Sequence, residues 1–299
     1  MRKALLAVAG AVAFSLAASA QSAPCRSTVT GELQISSFPS KTFGDTATVR
    51  VWLPPGYEDV ANAAVKYPVL YLLDGQNLFD KCTASEQKAE WQVDETMTRL
   101  IGAGKIPPMI VVGIDNGGER RADEYLPYQD FAFHTTLGEP AGKRFPFFLV
   151  NEVIPYVAAK YRVMPGPEHT TIGGASYGAV AALYTVLTRS DVFGSVLLES
   201  PALQVGNGQL LRDTSPLPVG PARVYIGVGT EEFTGAEHFN AQLASPGFLK
   251  LSDMLARNFK GAMMNHPDVM LNVVAGAHHN ESAWAERFPK AAEFLFGKH

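Results

Sequence analysis

Six short, nearly unbroken apolar runs recur along the chain: PVLYLL (68–73), MIVVGI (109–114), HTTIGG (169–174), GSVLLE (194–199), RVYIGV (223–228) and VMLNVV (269–274). Runs of this length are strands covered on both faces, an environment that parallel sheets provide and half-solvated antiparallel sheets do not. Between them, apolar residues return with helical spacing near 93–103, 147–161, 177–188, 248–259 and 282–296. Such alternation means βαβ crossovers. Upstream, 28–35 and 47–53 alternate apolar with polar residues, the pattern of an antiparallel pair at a sheet edge. The predicted fold is therefore α/β: a mostly parallel central sheet, helices on both faces, and an antiparallel N-terminal edge. Two stretches rich in Gly, Pro and polar residues, 117–146 and 201–221, follow strand C-termini, where loops border the ligand crevice of open α/β sheets.

The first twenty residues stand outside that alternation. Arg2 and Lys3 precede an apolar run (4–17) and the small-residue site Ala18-Ser19-Ala20, the layout of a secretory signal peptide cleaved after Ala20. The run is too short and too alanine-rich for a stable span, and Cys25 follows Pro24 rather than a small residue that would mark a lipid anchor. The expectation is a leader over 1–20, one catalytic domain over 21–299, no membrane anchor, and a periplasmic or secreted location. An oxidising compartment permits Cys25 and Cys82, the two cysteines of the chain, to pair. Closing a loop of that length is worth about 4 kcal/mol in the chain-entropy model. With 25 basic against 29 acidic residues and a net charge of −4, no basic stripe is available for nucleic acid. No Cys-x-x-Cys or His-rich spacing suggests a metal, and no organic cofactor is implied.

The segment TTIGGASYGAVAAL (170–183) carries G-x-S-x-G at Gly174-Ala175-Ser176-Tyr177-Gly178. In a chain with 27 glycines such a match arises by chance about 0.13 times, so context decides its meaning. Here the context is strand, sharp turn, helix, with small residues at Gly173, Gly174, Ala175, Gly178 and Ala179 where strand and helix pass closely. A serine on that turn projects its hydroxyl above the carboxyl edge of the sheet. A hydroxyl nucleophile needs a base held by a third group. In this arrangement the order is Ser, acid, His. RVYIGV runs into Gly229-Thr230-Glu231-Glu232, and VMLNVV into Ala275-Gly276-Ala277-His278-His279, both at that edge. Glu199, ending the intervening strand, is a third candidate acid. The backbone N–H of Tyr177 is one donor for an oxyanion. Gln76, in the loop LLDGQNLFD, is the candidate for the second. Trp91, Tyr125, Tyr128, Phe131 and Phe133 either line an acyl or aryl pocket or pack in the core and loops. Arg120 and Arg121 either face the cleft, where they would attract an anionic substrate, or pair with local acids.

Beyond this motif, VWLPPGY (51–57), YPVLYLLDGQNLFD (67–80), EWQVDE (90–95), IPPMIVVGIDNGGERRADEYLP (106–127), FFLVNEVIPYVAAKYRV (147–163), IGGASYGAVAALY (172–184) and HNESAWAERF (279–288) occur in this order. In these residues the chain resembles the esterase family of α/β-hydrolases that holds esterase-D-like, enterochelin-esterase-like and feruloyl-esterase-like enzymes and the mycolyltransferases. The resemblance covers most of the chain after the leader. It implies the α/β-hydrolase fold and a Ser–acid–His hydrolase that cleaves a small-molecule carboxylic ester through an acyl-enzyme. It selects His279, which precedes the NESAW segment, over His278. It selects Glu232 as the fourth residue of a G-x-x-acid turn, ahead of Glu231 and Glu199, and it supports Gln76. Tyr177 departs from the Met of esterase-D relatives, which makes the thioester-cleaving members a poor guide. An acyltransferase on the same residues, or a binding protein that keeps the fold without the chemistry, are the alternative readings.

Overall fold

The computed structural model describes residues 25–85, 89–130, 140–215, 219–233, 245–262 and 264–298. The leader (1–20), Phe131 and Phe133 lie outside them. One eight-stranded sheet organises the chain: β1 (Glu32–Pro39), β2 (Thr46–Leu53), β3 (Val69–Leu73), β4 (Ile110–Ile114), β5 (Thr170–Ala175), β6 (Ser195–Glu199), β7 (Arg223–Gly229) and β8 (Asp268–Val274). Their order across the sheet is β1-β2-β4-β3-β5-β6-β7-β8. The β1–β2 and β2–β4 pairs are antiparallel and every later pair is parallel, so the antiparallel edge is N-terminal.

Alternate residues of each central strand feed two separate apolar layers. Val69, Tyr71 and Leu73 of β3, with Val224, Ile226 and Val228 of β7, join one core, together with α5 (Tyr177–Thr188) and α7 (Ser245–Ala262). Leu70 and Leu72, with Leu197 and Tyr225, join the other, under α1 (Val93–Gly102) and α8 (Glu281–Phe296). This two-sided burial is the reason these strands are apolar without alternation.

Three sequence expectations shift in register or content. The first strand begins at Glu32 rather than 28, because the Thr28 and Thr30 amides are taken by Asp80 Oδ1 and Asp94 Oδ2 and Gly31 then turns with φ 86°. The helix expected over 147–161 is α3 (Phe145–Phe148), a π-helical turn (Leu149–Val153) and α4 (Ile154–Lys160). Pro155, at the start of α4, has no N–H to continue an α-helical ladder, and the wider turn precedes it. The loop stretches also contain short helices, α2 (Arg121–Tyr125) and α6 (Val205–Asp213), the latter opening on left-handed Gly206, Asn207 and Gly208. Cys25 and Cys82 form a disulfide with Cα atoms 5.6 Å apart, which ties the N-terminal segment to the chain just beyond β3. Among the described residues no helix is long and apolar enough to cross a membrane.

Candidate active site

Ser176 stands between β5 and α5 with φ 55° and ψ −120°. Non-glycine residues hold such a conformation only where their surroundings impose it, at a cost of about 1–3 kcal/mol. Its N–H donates to Glu199 O at 2.9 Å and its carbonyl accepts from Val180 at 3.2 Å, which pins both sides of the turn. Gly174 is required: a Cβ there would lie 2.7 Å from the backbone of Gly178, one helical turn on. Strand and helix thus touch, and the serine is left at the carboxyl edge.

Two neighbouring strand ends bring an acid and an imidazole to the same edge. The loops after β7 and β8 are stitched together by Thr230 N–H to Val274 O (3.0 Å), Glu231 N–H to Ala277 O (3.1 Å) and His279 N–H to Glu232 O (3.0 Å). Glu232 is buried, and its Oε2 lies 2.7 Å from His279 Nδ1. Its other oxygen accepts from Gly229 N–H at 2.6 Å and Ser200 Oγ at 2.7 Å. Burial alone would raise this carboxyl. The bonds from His279, Gly229 and Ser200 outweigh it and hold the group below the ordinary glutamate value. The His279 ring stacks on Phe233 at 4.7 Å and meets the edges of Phe248 and Trp284 at 5.5 and 5.2 Å, contacts that leave it one orientation. His278 turns outward, with Nδ1 2.8 Å from Glu231 O. Glu199 is fully buried and accepts from Arg287 Nε at 2.7 Å. Of the three candidate acids, Glu232 is the one whose carboxylate meets an imidazole.

The loop after β3 closes the opposite side. Asp74 is left-handed (φ 60°) and leads into the tight turn Gly75–Asn77. Its carboxylate accepts from Arg121 Nε (2.6 Å), Arg121 Nη2 (2.8 Å) and Asn116 Nδ2 (2.6 Å). Gln76 is held by both ends: its carbonyl accepts from Thr83 Oγ1 (2.7 Å) and its side-chain oxygen from Asn116 N–H (3.2 Å). Tyr177 is the first residue of α5, where amides have no intrahelical acceptor.

Ser176 and His279 line one cavity of about 310 Å³, with Asp74, Asn77, Arg121, Trp91 and Trp284 among its walls. Trp91 and Trp284 face each other at 5.6 Å. Asn77 Nδ2 donates to Glu281 Oε1 at 3.1 Å at the cavity's side. Arg121 reaches the cavity but is committed to Asp74, while Arg120 turns away to Asp45 and, at 3.3 Å, to Glu124. Tyr125 is buried behind the loop, its hydroxyl accepting from Asp74 N–H at 3.1 Å. Tyr128 bonds Asp213 instead of facing Ser176. Sequence reading did not single out Ser200, Trp284 or Arg287. A signal for the last existed: Arg287 falls on the buried stripe of α8 with Ala283, Trp284, Phe288 and Ala291, and an arginine there needs a buried acid.

The sheet order and the serine turn define the class first: an α/β-hydrolase-fold protein with a Ser176–His279 cavity at the carboxyl edge. Residues 40–295 match the Esterase family, described as "Putative esterase", and the chain belongs to that family. It is accordingly a carboxylic-ester hydrolase. Among curated relatives it is 24% identical over 250 residues to the uncharacterized protein YbbA of Bacillus subtilis (strain 168), covering 83% of this chain and 92% of that one. It is 26% identical over 274 residues to an endo-1,4-beta-xylanase/feruloyl esterase of Xylanibacter ruminicola. That match takes in 89% of this chain but only 31% of the larger relative. Among solved structures, an IroE-like serine hydrolase from Shewanella oneidensis superposes with a TM-score of 0.68 at 19% identity, covering 89% of this chain and 80% of that one. At that identity the likeness speaks for the fold.

Proposed function

We propose that the chain is an exported serine esterase in which Ser176 is the nucleophile, His279 the general base and Glu232 the acid that orients it. The leader over 1–20 directs it to the periplasm or outside the cell, and 21–299 acts as one catalytic domain. The observation that carries this reading is the 2.7 Å bond from His279 Nδ1 to Glu232 Oε2 beside a cavity shared with Ser176. That bond fixes the tautomer with Nε2 unprotonated, so Nε2 accepts the Ser176 proton as Oγ attacks the ester carbonyl. The charge that develops on the carbonyl oxygen is met by the N–H groups of Gln76 and Tyr177, reinforced by the N-terminal end of α5. The tetrahedral intermediate collapses as His279 returns the proton to the leaving alkoxide. Water then repeats the sequence on the acyl-enzyme, releasing the acid and restoring Ser176.

An uncharged aryl acyl group fits the cavity. Two indoles form part of its wall, the nearby guanidinium of Arg121 is taken by Asp74, and a relative is described as a feruloyl esterase. The test is a panel of methyl ferulate, aryl acetates, short-chain acyl esters and acetylated sugars, assayed with wild type and Ser176→Ala. The expected result is highest kcat/KM on the aryl acyl ester and loss of turnover in the variant by about 10³-fold or more. Wild-type turnover in Ser176→Ala would end the nucleophile assignment, and a preference for short aliphatic acyl groups would end the substrate assignment. Intact-mass detection of an acyl adduct on Ser176 checks the covalent step directly.

A further inference from the structure

We propose that Ser200, fixed by Trp284 and Arg287, is a positioning residue that aims the Glu232 carboxylate at His279. This rests on the triad proposed above.

The argument begins with hydrogen-bond capacity. A serine hydroxyl has one proton to give and two lone pairs to receive. Ser200 Oγ is fully buried at the end of β6, with Trp284 Nε1 at 3.0 Å and Arg287 Nη2 at 3.0 Å. An indole N–H and a guanidinium only donate. Both lone pairs of Ser200 are therefore occupied, and its single proton is left to point at the third neighbour, Glu232 Oε1, at 2.7 Å. The direction of that bond is forced. With Gly229 N–H on the same oxygen at 2.6 Å, Oε1 is anchored and Oε2 is left for His279.

The anchors are themselves held. Arg287 is buried and donates Nε to Glu199 Oε2 at 2.7 Å, so the guanidinium is held at Glu199 and reaches Glu232 only through Ser200. Gly227, across from Glu199 on β7, leaves room for this pair: a Cβ there would lie 2.2 Å from Glu199 Oε2. Trp284 lies edge-on to the His279 ring at 5.2 Å while its N–H reaches Ser200, so one side chain sets the imidazole and the carboxylate support together. Ser200 also has a left-handed backbone, φ 43°, a conformation glycine would adopt without strain. The hydroxyl is what glycine lacks.

The charged and titratable groups facing Glu232 are His279 after β8, Glu199 on β6 and, through Ser200, Arg287 on α8; Tyr225 on β7 lies beside Glu199. Loss of the Ser200 proton makes Glu232 more basic and its partner imidazolium more stable. The acid limb of the rate profile, which reports loss of the free base, must then move to higher pH.

The experiment measures kcat, KM and the kcat–pH profile of Ser200→Ala, Ser200→Gly, Trp284→Phe and the Ser200→Ala/Trp284→Phe double variant on one aryl ester. Ser200→Gly suits the backbone, so it reports on the hydroxyl even if the alanine variant folds poorly. The expected result for either Ser200 variant is kcat lower by about tenfold, KM changed less than about twofold, and an acid limb about 0.5–1 higher in pH. Trp284→Phe moves the limb the same way by less, and the double variant has its limb where Ser200→Ala alone puts it, because the indole N–H reaches Glu232 through Ser200. The indole's own contacts with His279 and the cavity lower kcat/KM separately. Wild-type kcat and an unmoved limb in Ser200→Gly, or limb shifts that add in the double variant, would overturn the role. Ser176→Ala in the same assay separates the two claims. If it is dead while the Ser200 variants behave as wild type, only the positioning role falls; if it turns over, the triad beneath it falls.

Discussion

His279 and Glu232 are joined twice, by Nδ1 to Oε2 at 2.7 Å and by the His279 amide to the Glu232 carbonyl at 3.0 Å. The backbone bond docks the β8 loop on the β7 loop, and the side-chain bond uses that docking to orient the ring. Glu232→Gln leaves the backbone bond and spoils the side-chain one: Gly229 N–H and the Ser200 hydroxyl claim the single amide oxygen, which turns the NH2, a donor, toward Nδ1. We expect kcat to fall by about 10²–10⁴-fold, whereas Glu231→Gln, at an exposed position, stays near wild type. Steady-state kinetics at neutral pH decide it; equal losses in the two variants would remove the distinction.

The adjacent histidines separate in the same way. His279→Ala deletes the group proposed to take the Ser176 proton and should leave no more than the residual rate of binding and oxyanion stabilisation. His278→Ala loses a bond to Glu231 O on the outside and should retain most turnover. Activity that collapses in His278→Ala instead would exchange the assignments.

Asp74 and Arg121 form a two-bond fork beneath the loop that carries Gln76. Arg121→Ala strands a buried carboxylate, partly compensated by Asn116, and we expect a loss of about 3 kcal/mol in stability, since the arginine itself is partly exposed. The loop conformation should suffer with it, lowering kcat more than KM is raised. Urea titration and kinetics on the aryl ester test both halves; a variant with wild-type midpoint and kcat would show that the fork is dispensable.

Asp94 gives the protein a pH-dependent weakness. Burial first, and then Glu95, push its carboxyl from 3.8 up to about 8, although Thr30 N–H donates to it. A carboxyl whose folded value lies above its unfolded value costs nothing below the unfolded value. The cost grows from about pH 4 and is complete only above about pH 8. Asp94→Asn removes the charge and can still accept from Thr30. Its Tm advantage over wild type should therefore be near zero at pH 4 and widen through pH 8. A difference that does not change with pH would refute this.

The features legible in the amino-acid sequence are those that depend on local geometry or on two-sided burial. The six apolar runs correspond to β3 through β8 within a residue or two. Strands β3 to β7 are covered on both faces and have no polar alternation to confuse their limits. By contrast β8, expected to be covered likewise, is the sheet's edge strand and only half-buried, because no further strand among the described residues pairs beyond it. The strand–turn–helix around Ser176 was equally readable, since close passage at Gly174 and Gly178 demands small residues whatever the rest of the chain does. Edges were less so: β1 starts later than its pattern implied because Thr28 and Thr30 are captured by acids more than fifty residues away.

What the sequence determined by itself, then, is an α/β sheet with a nucleophile-type turn and with acids and histidines at the right strand ends. Only the tertiary structure decided which of them meet. Glu199 and Glu232 are both buried glutamates at strand ends, yet Arg287 from α8 takes the first and His279 takes the second. Arg120 and Arg121 are neighbours of identical chemistry, yet one reaches Asp45 and the other Asp74 at the cavity. The physical reason is that a charge in a buried site is stable only beside a specific partner, and that partner comes from a distant segment whose direction of approach is set by the packing of whole elements.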